Sequence, residues 1–195
     1  WIPFAVVLLY VIFKNNKIKE ALIIIALLGV VIALADQISS GICKPLFARF
    51  RPTQDPELMY QIDIVNGYRG GTYGFISSHA ANTFGVAVFL TLIFKSGSLA
   101  IILFIWAILN AFSRIYLGVH YPGDILFGTL VGVGAGILIY IIYRKLQNTV
   151  LKQANFISNQ YTSSGYLISD IRLIKTVFYL TLFYVIVRGM MITLY

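Results

Sequence analysis

Histidine titrates nearest to neutrality of all side chains, and this chain has only two, so what stands beside each is informative. His120 precedes Asp124 by four residues in Ser113-Arg114-Ile-Tyr-Leu-Gly-Val-His120-Tyr-Pro-Gly-Asp124. A carboxylate so placed at a helix start can accept one imidazole N–H, fix the tautomer and leave the other ring nitrogen nucleophilic. A purely structural His–Asp pair at a helix cap has the same spacing. His79 follows Ile76-Ser77-Ser78 and precedes an apolar run to Phe94. Ser77 or Ser78 is a natural N-cap, and the free N–H groups of a helix start attract anions. The plainer alternative is a capped helix with an incidental histidine. In Lys44-Pro-Leu-Phe-Ala-Arg-Phe-Arg51-Pro52, Lys44 and Arg51 are seven residues apart, close to two helical turns. That spacing predicts one shared face, about 10 Å between the two residues, and long side chains able to converge on one ligand. Arg49 then falls on another face, toward lipid headgroups, and Pro52 stops the helix. Taken alone, this run reads equally as snorkelling interfacial anchors.

The elements that must hold these groups follow from composition. Of 195 residues, 59% are hydrophobic and 11% charged, with a mean hydropathy of +0.85. A soluble domain is roughly a quarter charged. The deficit excludes a soluble globular protein, a disordered chain and a nucleic-acid binder, so the net charge of +8 is read as membrane topology or an anion site. The lone Cys43 cannot form an internal disulfide. A bilayer core needs roughly 20 apolar residues of helix. The runs Trp1–Phe13, Ala21–Cys43, Ile76–Phe94, Leu99–Leu117, Pro122–Tyr143 and Leu173–Leu194 predict six spans. The chain begins at Trp1 inside an apolar run, which predicts a first span lacking its start. No secretory signal peptide and no internal repeat are visible. The expectation is an all-α, polytopic membrane helix bundle. Residues 1–150 would form its core, and residues 151–195 a polar connector over Gln153–Asp170 plus one more span.

Basic residues orient the bundle. With Lys14–Glu20 facing the cytoplasm, nine Lys and Arg lie inside and six outside. Both histidines, Lys44, Arg51 and Arg114 then meet at the extracytoplasmic helix ends. Three separate accidents on one face are harder to accept than one site. Asp36, deep in the second run, either pairs with a basic site residue or joins a polar patch with Gln37, Ser39 and Ser40. Arg188 reads as an interfacial anchor.

With these residues in view, the sequence resembles the type 2 phosphatidic acid phosphatase superfamily. Its three motifs are Lys-x6-Arg-Pro, Pro-Ser-Gly-His and Ser-Arg-x5-His-x3-Asp. The first appears as Lys44…Arg51-Pro52 and the third as Ser113-Arg114…His120…Asp124. The second appears in part, with Ile76 for its proline and Ser78 for its glycine. The resemblance implies hydrolysis of a phosphomonoester or diphosphate through a phosphohistidine, with His120 as nucleophile, Asp124 its partner and His79 the general acid and base. Lys44, Arg51, Arg114 and the N–H groups near Ser77 and Ser78 would bind the phosphoryl oxygens. No metal and no other cofactor is expected, since Asp55, Glu57 and Asp63 read as loop solvation. A site at the membrane boundary points to a lipid phosphate partner in a bacterial inner membrane, facing the periplasm or exterior. Undecaprenyl diphosphate, phosphatidylglycerol phosphate, phosphatidic acid and lipid A all qualify. A phosphotransferase with the same intermediate, and a non-catalytic anion-binding protein or transporter, are the alternatives. The family's soluble haloperoxidase branch shares the motifs but not this hydropathy. The loop Thr53–Phe75, with Gly70, Gly71 and Gly74, reads as a gate or a plain connector.

Overall fold

The computed structural model describes residues 1–147 and 159–193. The expected boundary at residue 150, residues 153–158 of the polar connector and Leu194 lie outside them. The main elements among the described residues are helices: α1 (Ile2–Asn15), α2 (Ile18–Asp36), α3 (Lys44–Phe47), α4 (Ser78–Phe94), α5 (Gly97–Tyr116), α6 (Pro122–Leu146) and α7 (Ile168–Thr193). A π-helical stretch, Gln37–Cys43, joins α2 to α3 without a break, making one apolar rod over Ile18–Phe47. This rod, α5, α6 and Ile168–Met191 of α7 are long and apolar enough to cross a bilayer, while α1 and α4 are shorter apolar helices. Six apolar helical segments therefore stand where six spans were expected, forming a helical membrane bundle.

One local expectation fails. The helix carrying Lys44 does not reach Arg51, because α3 ends at Phe47 and Ala48 turns left-handed at φ 42°. Arg51 is extended, the backbone favoured before a proline, and Phe50 pairs with Tyr73 in an isolated antiparallel bridge. Pro52 does not stop a helix but opens a short 3-10 turn, Pro52–Gln54. Lys44 and Arg51 thus share no helical face, because the chain leaves the helix at Ala48 and runs extended to Arg51.

Helix α4 lies between α2, α5 and α6. It is buried on most sides, as its even spread of apolar residues demands. By contrast α5 presents Ile101, Ile105, Ile108, Phe112 and Tyr116 outward at helical spacing, a face suited to lipid. Lipid tails are as apolar as the core, so close packing rather than water exclusion must hold the helices together. Gly128, Gly132 and Gly136 line one face of α6 and let its backbone lie against α4. A Cβ at Gly128 would come within 2.5 Å of the Ser77 carbonyl, one at Gly136 within 2.7 Å of the Gly85 carbonyl, and one at Gly132 would overlap the Ala81 carbonyl. This seam sets the first turn of α4 beside the first turn of α6.

The opposite end of the bundle closes on itself. Asp170 at the start of α7 accepts from Lys14 Nζ at 2.7 Å and from Asn15 Nδ2 at 2.8 Å. Asn16 donates to the Tyr166 hydroxyl at 2.9 Å, and the Tyr166 ring packs on Phe94. Glu20 accepts from the Tyr143 hydroxyl and from Gln147. The described part of the connector is therefore pinned to the ends of α1 and α4, and α7 packs along α1 and α5.

Candidate active site

Leu117 to Tyr121 form the short turn between α5 and α6, with Gly118 at φ 65°. It delivers His120 and Asp124 together, 3% and 0% exposed. Asp124 caps α6: its Oδ2 accepts the Tyr121 N–H at 2.9 Å, the reciprocal contact of a capping box. The same oxygen lies 3.3 Å from His120 Nδ1. On the ring's other side, Arg51 Nη1 lies 3.2 Å from Nε2. A carboxylate only accepts and a guanidinium only donates, so the two contacts select one tautomer. Nδ1 carries the proton and Nε2 presents its lone pair. Burial holds the His120 pKa below the ordinary histidine value. The hydrogen bond to Asp124 opposes this, and the charges of Arg51 and Lys44 reinforce it. The ring is therefore neutral at pH 7, as a nucleophile requires.

Arg51 is placed by backbone rather than by a helix. Its N–H donates to the Thr72 carbonyl at 3.1 Å, its Nε to the Tyr73 carbonyl at 3.2 Å and its Nη1 to the Val119 carbonyl at 3.4 Å. Gly74 makes room here, since a Cβ there would lie 3.1 Å from Arg51 Cγ and 3.3 Å from Asp124 Oδ2. The loop after Arg51 returns beside it at Thr72 and is tied at its base, where Thr53 and Arg69 exchange hydrogen bonds. Asp55 in this loop caps the N–H groups of Glu57 and Leu58 and accepts from the Tyr121 hydroxyl.

Ser77 is the N-cap of α4. Its Oγ accepts from the Ala80 N–H, and its own N–H donates to the Asp124 carbonyl at 3.1 Å, so the starts of α4 and α6 are bonded together. Ser78 departs from the role expected for its backbone alone, because its hydroxyl accepts from Lys44 Nζ at 2.7 Å and meets Ser40 Oγ at 2.7 Å. Ser40 in turn accepts from Lys44 Nζ at 2.9 Å and donates to Asp36 Oδ1 at 3.2 Å. Asp36, Ser40 and Lys44, four residues apart along the rod, thus form a polar rail ending at Ser78. Asp36 reaches the basic residue through Ser40 rather than pairing with it. His79, exposed in the first turn of α4, lies within electrostatic reach of Arg114, His120, Lys44 and Arg51. Arg114, half-buried in the last turn of α5, donates to Ser113 Oγ at 3.1 Å.

The eight predicted site residues therefore gather at one end of the bundle, carried by α3, the extended segment at Arg51, α4, α5 and the start of α6. Arg49 was expected among lipid headgroups, and that expectation is corrected. Its Nη2 bonds to Asp124 Oδ1, and its guanidinium lies 4.9 Å from both the Phe75 and Tyr121 ring centroids. The misreading follows from extending the helix past Phe47. Ser40 was also missed as a site neighbour, and its distance of four residues from both Asp36 and Lys44 was the available signal. Among the described residues, no three His, Cys, Asp or Glu side chains cluster to hold a metal ion. Chemically, a neutral oriented imidazole, a second imidazole, three cations and a helix N-terminus can hold and attack a tetrahedral oxyanion.

The chain is similar to known proteins over most of its length. The family described as PAP2 superfamily matches residues 24–148, which include all eight residues. A lipid A 4'-phosphatase of Bacteroides thetaiotaomicron is 42% identical over 150 residues, 75% of this chain and 65% of that protein. A lipid A 4'-phosphatase of Porphyromonas gingivalis is 38% identical over 143 residues, 73% of this chain and 61% of that protein. The chain thus spans just under two thirds of the length of these curated relatives. No solved structure matches it.

Proposed function

This chain belongs to the PAP2 superfamily, and from that premise we propose that it is a membrane phosphatase acting on a lipid phosphate through a phosphohistidine. The relatives named as lipid A 4'-phosphatases favour a sugar-linked phosphomonoester of lipid A type as the substrate. The observation that carries the reading is the His120 ring held between an acceptor, Asp124, and a donor, Arg51.

In the first half-reaction the Nε2 lone pair attacks phosphorus. The bond from phosphorus to the ester oxygen breaks, and His79 protonates the departing alkoxide. Positive charge grows on the His120 ring and is stabilised by Asp124. Lys44, Arg51, Arg114 and the N–H groups at the start of α4 hold the three non-bridging oxygens as their charge spreads. Arg51 is already directed at Nε2, so a phosphoryl group entering there meets its N–H at once. In the second half-reaction His79 removes a proton from water, the water oxygen attacks phosphorus, and the electron pair of the P–N bond returns to Nε2. The products are the dephosphorylated lipid and inorganic phosphate. The predicted charge asymmetry orients the site toward the periplasm, where a headgroup can present its phosphate without leaving the bilayer.

The test is phosphate release by purified protein in mixed micelles, over a panel of lipid A, phosphatidylglycerol phosphate, phosphatidic acid and undecaprenyl diphosphate. The expected result is inorganic phosphate from lipid A above the others. Phosphate appearing on another acceptor instead of in solution would make the protein a phosphotransferase. No turnover of any phosphate by folded protein would overturn the enzyme reading.

A further inference from the structure

Arg49 stands apart from the other cations at this end because its partner is an anion. Its Nη2 bonds to Asp124 Oδ1, the oxygen that does not face His120. The guanidinium lies over the rings of both Phe75 and Tyr121, each centroid 4.9 Å away, and the Arg49 backbone carbonyl accepts the Gly74 N–H at 2.8 Å. The side chain is 43% exposed, whereas the carboxylate it meets is fully buried. Two ring contacts, an ion pair and a tethered backbone give the guanidinium one preferred place.

We propose that Arg49 is a positioning residue that sets the basicity of His120 through the far oxygen of Asp124. The inference rests on the phosphohistidine reading above. A carboxylate shares its charge between two oxygens, and a cation bonded to one draws charge from the other. With Arg49 in place, Oδ2 still orients the Nδ1 proton but stabilises positive charge on the ring less. A less basic Nε2 stays unprotonated to lower pH and leaves phosphorus more readily when water attacks. Loss of Arg49 therefore has two linked signs: His120 protonates at higher pH, and the phosphorylated protein breaks down more slowly.

The other charged and titratable groups around His120 are Arg51 on the extended segment, Lys44 on α3 and His79 on α4. Arg114 on α5 lies within electrostatic reach of His79 and Arg51. Replacing any of these would disturb the proposed phosphate cradle directly. Arg49 has its charge directed into Asp124, so its effect on His120 is separable from substrate binding.

The experiment compares the wild-type protein with Arg49→Gln, Arg49→Lys and His120→Ala in mixed micelles, using lipid A labelled with ³²P at the 4' position. Two quantities are read: the acid limb of kcat/KM against pH, and acid-labile protein-bound ³²P after rapid quench into alkali. Arg49→Gln is expected to move the acid limb upward by at least about 0.5 pH unit. Its kcat and KM should fall together as the phosphorylated protein accumulates, and its bound phosphate increase. Arg49→Lys, which keeps the charge but not the planar fork, should show the same signs at smaller size. It also serves as the test should Arg49→Gln fail to fold. An unchanged limb with unchanged bound phosphate overturns the proposal, and so does a rise in KM alone, which would make Arg49 a substrate ligand. Turnover by His120→Ala, or no bound phosphate in the wild type, overturns the phosphohistidine reading itself and is recognisable without the Arg49 variants.

Discussion

The far end of the bundle and the site end both place charged side chains at helix termini, yet their cations have different partners. At the far end Lys14 meets the carboxylate of Asp170, and Glu20 takes hydrogen bonds from Tyr143 and Gln147. At the site end Lys44 donates to two serine hydroxyls, Arg51 to carbonyls and an imidazole, and Arg114 to a hydroxyl. Among the described residues, no salt bridge joins Lys44, Arg51 or Arg114 to a carboxylate. A cation whose neighbours are neutral keeps its field for an incoming anion, while one already paired contributes to holding the fold. The far end is accordingly a fastening, and the site end is arranged as the proposed anion receptor, with the Arg49–Asp124 ion pair beside the proposed nucleophile.

Four outcomes would break or sharpen this contrast. The largest concerns His120→Ala, which should lower kcat by at least about 10³-fold while the thermal midpoint stays close to that of the parent protein. Turnover and unfolding of the micellar protein measure both, and retained turnover would reduce the site end to a binding cluster. Next comes the glycine seam that aligns α4 with α6. Gly132→Val should yield little folded, active protein, because its side chain has no space against the Ala81 carbonyl. Gly134→Ala, which meets nothing within 4 Å, should leave expression and activity unchanged. Size-exclusion profiles and turnover distinguish them, and equal behaviour would remove the seam as the device that aligns the two helix starts.

A smaller effect is expected at the far end. Tyr143→Phe deletes the hydroxyl's hydrogen bond to Glu20 and the one it accepts from Gln147, and should cost about 1–3 kcal/mol of stability with kcat unaltered. A matching loss of kcat would show that the two ends are coupled rather than distinct. The smallest effect is expected from EDTA, because the proposed charge stabilisation comes from three side-chain cations. The rate should stay within about twofold of the untreated rate. Abolished activity restored by a divalent cation would replace that picture with a metal-assisted one.

Much of the site was legible because its residues carry unusual chemistry for a membrane chain. His120 four residues before Asp124 at a helix start, and Ser77 before His79, are local patterns, and local patterns survive folding. Arg49 and Arg51 were misplaced because their reading assumed that the helix bearing Lys44 continued. Ala48 ends it, and the bridge from Phe50 to Tyr73, made with a segment more than twenty residues later, pulls the chain out straight. Ser40 was seen as part of a polar patch, but its hydrogen bonds to Lys44 and Ser78 needed a second helix to be in place.

The amino-acid sequence by itself determined the solvent and the inventory: hydropathy demanded a bilayer, and turn and cap residues marked the start of α4 and the turn from α5 to α6. It also determined which neighbours in the chain stay neighbours, since a helix start fixes residues four apart. Only the tertiary structure decided which oxygen of Asp124 faces His120, which nitrogen of that ring is free, and which cations are paired. Those choices depend on contacts between segments distant in the chain, made possible by three glycines that let α4 and α6 touch. No local periodicity encodes an approach of that kind, because its energy arises only when both surfaces are present.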